Sequence, residues 1–310
     1  VSTAPVANVF LGTSAFASEV LSALAGSQHR PLLVVAPPDR ARGRGRRLSP
    51  PPVATAAREL DLPLHQTRSV NEPGSTATLL AAGAEVGCVC AFGQLIAEPL
   101  LSGLPMLNVH PSLLPRWRGA APIERAIMAG DGRTGVCIMR LTEGLDSGPL
   151  ALSAERPVGE GESYGELAAE LATLGGELLI RALDLHSEDS LELTEQATEG
   201  ITYAEKIVPE DRRLDPSRPA IELQRIIRAL TPHIGAFLEL SDGGRLGVRA
   251  GAVAAGGLEP GELAERSGLL LLGCGEGVLA ISELQPPGKR AMAAADWLRG
   301  HPLPAGLRAG

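Results

Sequence analysis

The chain has 310 residues, of which 44% are apolar and 21% charged, with four cysteines and a formal net charge of −8. This composition excludes a disordered chain, a collagen and a disulfide-stapled mini-protein, and no apolar run reaches the ~18 residues of a membrane span. The negative balance excludes a basic coat for nucleic acid, and the length predicts two domains of roughly 100–200 residues each.

In chain order, residues 6–11 form an apolar run ending in Gly12-Thr13, read as a strand. Phe16, Val20, Leu21 and Leu24 follow at helical spacing, residues 32–36 read as a second strand, and 53–60 as a helix. Between these, 37–52 breaks all periodicity. Strands are expected at 86–91, 106–109 and 135–141, and helices at 122–129 and 163–185. Alternating strands and helices argue a Rossmann-like α/β domain with a mostly parallel sheet. The pattern changes near 187, where a polar, acidic stretch begins. A short helix at 221–230 and strands at 237–240, 246–250, 269–272 and 278–284 then predict a small OB-like β-barrel. The expected organisation is a catalytic domain over 1–189, a linker over 190–207 and a β-barrel domain over 208–310.

From residue 209 onward acidic and basic residues are equal in number, so the negative charge lies in residues 1–208. Only Lys206 and Lys289 are lysines, and coding bias toward arginine explains this most simply. No basic region followed by an apolar stretch and a cleavage site opens the chain, so a soluble cytoplasmic protein is expected. Cys88, Cys90, Cys137 and Cys274 sit in apolar runs with no histidine at zinc-like spacing. They read as buried, reduced thiols, and no metal is expected.

Asn108 and His110 stand two apart at the end of a predicted strand, so their side chains leave the same face. Ligands of open α/β sheets bind outside the carboxyl ends of strands. Asp146, in Leu145-Asp146-Ser147-Gly148, follows another apolar strand, so an amide, an imidazole and a carboxylate converge at one rim. Spacing alone leaves a structural alternative open for each: an amide satisfying a loop, a loop histidine, a turn aspartate. Gly12-Thr13 is a possible phosphate-cradling turn. The residues after Gly12 are Thr-Ser-Ala-Phe-Ala, which lack the further glycines of a dinucleotide fingerprint, so no NAD site is expected. Arg40, Arg42, Arg44, Arg46 and Arg47, interleaved with glycine, read either as a solvated loop or as an arm for phosphates.

The string Ser-Leu-Leu-Pro-Arg-Trp-Arg-Gly-Ala-Ala-Pro-Ile at 112–123, with Leu-Asn-Val-His before it and Gly-Leu-Asp-Ser-Gly after it, closely resembles the methionyl-tRNA formyltransferase family. That family lies within the formyltetrahydrofolate-dependent formyltransferase superfamily. The likeness continues through Leu11-Gly12-Thr13, Pro38-Asp39-Arg40, Ala91-Phe92-Gly93, Thr202-Tyr203-Ala204-Glu205-Lys206 and Gln285-Pro286-Pro287-Gly288-Lys289. It covers nearly the whole chain in order. The 108–123 core alone identifies the superfamily; the arginine loop and the C-terminal matches narrow it to the tRNA enzymes.

The resemblance implies formyl transfer from 10-formyltetrahydrofolate to the α-amino group of methionyl initiator tRNA, for translation initiation. It implies that Asn108 donates to the developing oxyanion and that His110 and Asp146 move protons. Phe92, Gly93, Ser112, Leu113, Leu114 and Pro115 would line or shape the folate slot, and residues 141–145 would lie beside it. Arg40, Arg42, Arg44, Arg46 and Lys206 would meet the tRNA, with Arg44 carried over first. A stripe of Arg212, Arg213, Arg225, Arg228, Lys289 and Arg290 would extend that surface, with scattered surface charge as the plainer reading. A monomer is implied. Pro111 and Gln94 depart from the family pattern without touching the three reacting positions. The alternative is another superfamily formyltransferase, or a formyltetrahydrofolate hydrolase, acting without tRNA. A non-catalytic RNA-binding protein is disfavoured because all three reacting positions are filled.

Overall fold

The computed structural model describes residues 4–42, 47–304 and 306–310. Contacts divide the chain into two compact units. One comprises Val1–Pro122, Arg133–Pro157 and Ala168–Ala204; the other comprises Ile123–Gly132, Val158–Leu167 and Glu205–Gly310. The expected boundaries follow the chain, whereas these units do not. Residues of two helices of the N-terminal half count with the second unit because side chains tie them there. Arg125 Nη2 meets Asp211 Oδ2 at 2.7 Å, His233 Nε2 meets Glu124 Oε1 at 3.0 Å, and Arg228 donates to the Glu162 carbonyl at 2.7 Å.

The N-terminal half runs β1 (Asn8–Gly12), α1 (Ala15–Ala25), β2 (Leu33–Ala36), β3 (Arg40–Arg42), β4 (Arg47–Ser49) and α2 (Pro52–Glu59). It continues β5 (Leu64–Gln66), α3 (Pro73–Leu80), β6 (Val86–Cys90), α4 (Leu100–Gly103), β7 (Met106–His110) and β8 (Arg118–Gly119). Then come α5 (Pro122–Ala129), β9 (Arg133–Arg140), β10 (Leu150–Pro157), α6 (Tyr164–Ser187) and β11 (Tyr203–Ala204). Seven strands form one sheet in the order β10-β9-β7-β6-β1-β2-β5. The run β7-β6-β1-β2-β5 is parallel, and β9 and β10 are antiparallel additions.

Every residue of β1, β6 and β7 is buried. Parallel strands covered on both faces carry continuous apolar runs, which is why the sequence reveals them. Sequence periodicity does not reveal β5, α3 or β10. Strand β10 lies at the sheet edge, alternates half-buried with exposed residues toward its end, and carries Glu155 and Arg156, so it has no apolar run to read. The stretch 37–52, without periodicity, contains the ribbon β3–β4, paired Arg40↔Ser49 through Arg42↔Arg47.

Helix α6 approaches the sheet closely because it carries glycine there. A Cβ on Gly175 would stand 2.9 Å from Val109 Cγ1, and one on Gly176 2.8 Å from Ala23 Cβ. Val109 therefore faces α6. Strand alternation turns Asn108 and His110 to the opposite face.

All four cysteines are free and buried. Burial pushes the Cys88 thiol up to about 12 and Cys137 up to about 11. Cys90 is pushed higher still by burial and by the neighbouring Cys88. Among the described residues no group of three or more His, Cys, Asp or Glu side chains is arranged to hold a metal ion, and no helix is long and apolar enough to cross a membrane.

Of residues 190–207, expected as linker, 190–204 belong to the first unit and 205–207 to the second. Leu150 and Thr194 exchange main-chain bonds of 2.8 Å, and β11 pairs in parallel with β8.

The second unit contains α7 (Ala220–Leu230), β12 (Ala236–Glu239), β13 (Arg245–Ala254), β14 (Leu263–Arg266), β15 (Leu269–Gly273), β16 (Val278–Gln285), β17 (Met292–Ala293) and α8 (Ala294–Gly300). Its antiparallel sheet runs β12-β13-β16-β15-β14, with β17 beside β16. Leu223, Ile226, Ile227 and Leu230 of α7 pack with Leu238, Val248, Leu270 and Ile281 in its core.

The C-terminal residues join the two outer strands. Ala309 bridges Leu240, just past β12, and Arg308 bridges Glu262, just before β14. Ser241 N donates to Arg308 O at 2.8 Å, Ala309 N to Gly261 O at 2.8 Å, and Gly310 N to Glu239 O at 3.1 Å. This tail links the two ends of the sheet, while Arg213 bridges Phe237 on the outer side of β12. Net worth is about 0.5–1.5 kcal/mol per bond, and Ala309 is itself buried. A chain ended after residue 307 is therefore expected to lose about 2 kcal/mol or more of stability by denaturant unfolding; an unchanged midpoint would show that the sheet does not depend on this tail.

Candidate active site

Strand β7 delivers Asn108 and His110 side by side at its carboxyl end. Asn108 is 8% exposed, and its amide has no hydrogen-bond partner among the described residues. Its strand is buried along its whole length, so its position is fixed.

His110 is buried. Its Nε2 lies 2.9 Å from the Trp117 carbonyl oxygen. A carbonyl only accepts, so Nε2 carries a proton and donates to it. Nδ1 faces Asp146 Oδ2 at 3.7 Å, with the two side chains 5% and 13% exposed. Asp146 Oδ2 also accepts from Gly119 N at 2.8 Å. Its other oxygen has no hydrogen-bond partner among the described residues. The expected convergence of amide, imidazole and carboxylate therefore has a geometric counterpart for His110 and Asp146, with Asn108 two residues before His110 on the same face.

The loops around this trio have unusual backbones. Ala91, Trp117 and Asp146 have φ of 42°, 63° and 43°. Left-handed conformations cost non-glycine residues about 1–3 kcal/mol and cluster where geometry is demanded. Trp117 is the plainest case, because its strained conformation places its carbonyl against His110. Its N–H is held by Thr202 Oγ1 at 2.9 Å. Gly119 has φ of 120°, and a Cβ there would come within 2.8 Å of the Ala204 carbonyl. A side chain at this position would collide with Ala204, so glycine is required where the N–H reaches Asp146.

Sequence reading assigns no role to Trp117 or Gly119. They act through main-chain atoms, which leave no side-chain signature; the glycine after Trp-Arg is the only signal.

The other expected residues are distributed as follows. Phe92 is 3% exposed and packs in the core with Leu11, Val35 and Leu79, while its carbonyl accepts from Thr13 Oγ1 at 2.6 Å. Gly93, at φ 72°, has open space around its Cα. Ser112 is fully buried and donates to the Arg116 carbonyl at 2.6 Å, so it shapes its loop from within. Leu114 packs with Cys137 and Met139, and Leu113 lies against Gly135. Pro115 offers its carbonyl to Thr202 N at 3.4 Å. Gln94, the departure from the family pattern, accepts from Val70 N at 3.0 Å and donates to Thr67 O at 3.1 Å, tying the loop after β5 to the loop after β6.

A cavity of about 530 Å³ opens at the carboxyl ends of β1, β2 and β6, lined by Thr13, Arg40, Arg68, Phe92, Gly93 and Gln94 among others. None of the trio lines it. Its Phe92–Gly93 wall follows β6, the parallel neighbour of β7, so the two loops are adjacent.

Arg40 is exposed at the start of the ribbon, and Arg42 ends its first strand. Arg44 and Arg46 lie outside the described residues. Lys206 is exposed in the second unit, its carbonyl accepting from Arg125 at 3.5 Å. Of the expected stripe, Arg212 is spent on the Ile234 and Gly235 carbonyls, Arg213 on Glu239 and Arg228 on the Glu162 carbonyl.

Two family models account for the chain: Formyl transferase matches residues 5–183, and Formyl transferase, C-terminal domain, matches residues 206–302. Methionyl-tRNA formyltransferase of Rhizobium meliloti (strain 1021) is 42% identical over 98% of this chain and 99% of its own length. That of Chromohalobacter salexigens is 42% identical over 97% of this chain and 96% of its own length. Among solved structures, HypX from Aquifex aeolicus in complex with tetrahydrofolic acid has a TM-score of 0.66 at 17% identity, over 94% of this chain and 46% of that longer one. The sugar 3N-formyl transferase WlaRD has a TM-score of 0.66 at 14% identity, over 92% of this chain and 99% of its own. At these identities the structural likeness speaks for the fold alone. The chain belongs to the formyl transferase family, and within it to the methionyl-tRNA formyltransferases.

Proposed function

We propose that this protein transfers the formyl group of 10-formyltetrahydrofolate to the α-amino group of methionyl initiator tRNA, in the cytoplasm and as a monomer. The observation that carries this reading is the pairing of His110 Nδ1 with Asp146 Oδ2 at 3.7 Å, with the buried Asn108 two residues before His110, in a chain 42% identical to a methionyl-tRNA formyltransferase over 98% of its length.

The amine nitrogen attacks the formyl carbon, and the new C–N bond pushes an electron pair onto the formyl oxygen. Asn108 donates to that oxygen. When the bond to the folate nitrogen breaks, its electron pair stays on that nitrogen. One proton must leave the amine and one must reach the folate nitrogen. We assign this transfer to the Asp146 carboxylate and the His110 imidazole, which would take the proton from the amine and return one to the folate nitrogen. An oxyanion donor contributes about 10²–10³-fold and acid–base help about 10²–10⁴-fold. No covalent enzyme intermediate is needed.

The folate would lie along the loops after β6 and β7, beside Phe92 and Gly93, over a floor shaped by Ser112, Leu113, Leu114 and Pro115. Arg40, Arg42, Arg44 and Arg46, with Lys206, would hold tRNA phosphates, and the arginine loop would sense the initiator's weak first base pair. Phosphate contacts orient the RNA without reading sequence.

Formylation of methionyl initiator tRNA by Asn108→Ala, His110→Ala and Asp146→Ala is expected to fall by about 10²-fold or more in each, with unchanged thermal unfolding. Wild-type turnover in any one removes that residue from the chemistry. Arg44→Ala is expected to lower kcat/KM for the charged tRNA by about tenfold or more while changing the salt slope by less than about one. Unchanged kinetics would make the loop a solvated one.

A further inference from the structure

The segment expected as a linker contributes a side chain to the scaffold of the reacting trio. Gln196 Nε2 donates to two carbonyls of one turn, that of Asp146 at 2.8 Å and that of Gly148 at 2.7 Å. These bonds hold the backbone where Asp146 has a φ of 43°. Gln196 Oε1 accepts from both Nε and Nη2 of Arg118, at 3.1 and 2.7 Å. Arg118 is only 9% exposed, so its guanidinium works in a poorly solvated place.

The two ends of the amide act together. A cation on Oε1 draws electron density from the amide and strengthens its N–H groups as donors. It also fixes which end of the amide faces the turn, since a guanidinium only donates and the two carbonyls only accept. Arg118 lies between Trp117, whose carbonyl holds His110, and Gly119, whose N–H holds the Asp146 carboxylate. One tripeptide thus meets the histidine, the carboxylate and, through Gln196, the backbone that carries the carboxylate.

We infer that Gln196 and Arg118 are positioning residues for formyl transfer, clamping the left-handed turn that aims Asp146 at His110. The inference rests on Asp146 being a reacting residue, as proposed above. Neither Gln196 nor Arg118 touches the reacting atoms. Their effect passes through the angle of Asp146, and small misplacements of a reacting group cost up to about 10²-fold in rate.

Two substitutions separate the clamp from simple packing. Gln196→Met keeps the length and loses all four hydrogen bonds. Gln196→Glu keeps, and strengthens, an acceptor for Arg118, but presents carboxylate oxygen instead of N–H to two carbonyls. Single-turnover transfer to methionyl initiator tRNA is measured for each, alone and combined with Asp146→Ala, alongside KM for tRNA and thermal unfolding. Both single variants are expected to lose about 10- to 100-fold in kcat with KM changed less than about threefold. In the Asp146→Ala background the same substitutions are expected to cost less than about twofold, because the group they aim is gone. Full, additive losses in that background, or wild-type kcat in the folded Gln196→Glu protein, overturn the inference. Wild-type transfer by Asp146→Ala alone would instead overturn the role given to Asp146, so the two failures are told apart.

Discussion

The site depends on hydrogen bonds to main-chain atoms of a single short segment. Trp117 supplies the acceptor that fixes a proton of His110 on Nε2, and Gly119 supplies the N–H that receives Asp146. These atoms hold because the segment is itself a strand: β8 pairs with β11, and Ala120 N donates to Ala204 O at 2.8 Å. Residues far apart in sequence, near 110, 118, 146 and 204, are thus locked into one arrangement. The strained φ of Trp117 and Asp146 persist because the surrounding bonds over-determine them. These bonds hold the imidazole of His110 and the carboxylate of Asp146 at a fixed separation.

The sheet below makes this possible. Strand β7 is buried along its length, so its side-chain alternation is rigid. Gly175 lets α6 press against Val109 from one face, which leaves Asn108 and His110 on the other. Carboxyl ends of β6 and β7 lie side by side, and the loops after them place the Phe92–Gly93 wall next to the trio.

Much of this was legible from residues alone. The buried parallel strands read as apolar runs, Asn108 and His110 shared a face by simple count, and Leu145-Asp146-Ser147-Gly148 marked the loop that meets them. What escaped had no periodic signal. The edge strand β10 is half-exposed and charged. The link between the two ends of the C-terminal sheet uses a tail whose bridging bonds are main-chain. Gln196 sits in a polar stretch that reads as linker, and only its two acceptors in the folded chain reveal it. Of the arginine stripe that the resemblance implies in the C-terminal third, Arg212 and Arg228 bond to carbonyls and Arg213 pairs with Glu239 within their own unit, contacts that residue type alone does not reveal.

The measurement that bears most directly on the account is formyl transfer from 10-formyltetrahydrofolate to methionyl initiator and methionyl elongator tRNA, assayed side by side. The amine and the amino acid are the same in both, so any difference comes from the RNA. The account predicts transfer to the initiator with little to the elongator. Consumption of the folate with neither tRNA formylated would contradict it, and would assign the trio to a hydrolase or to a small-amine formyltransferase.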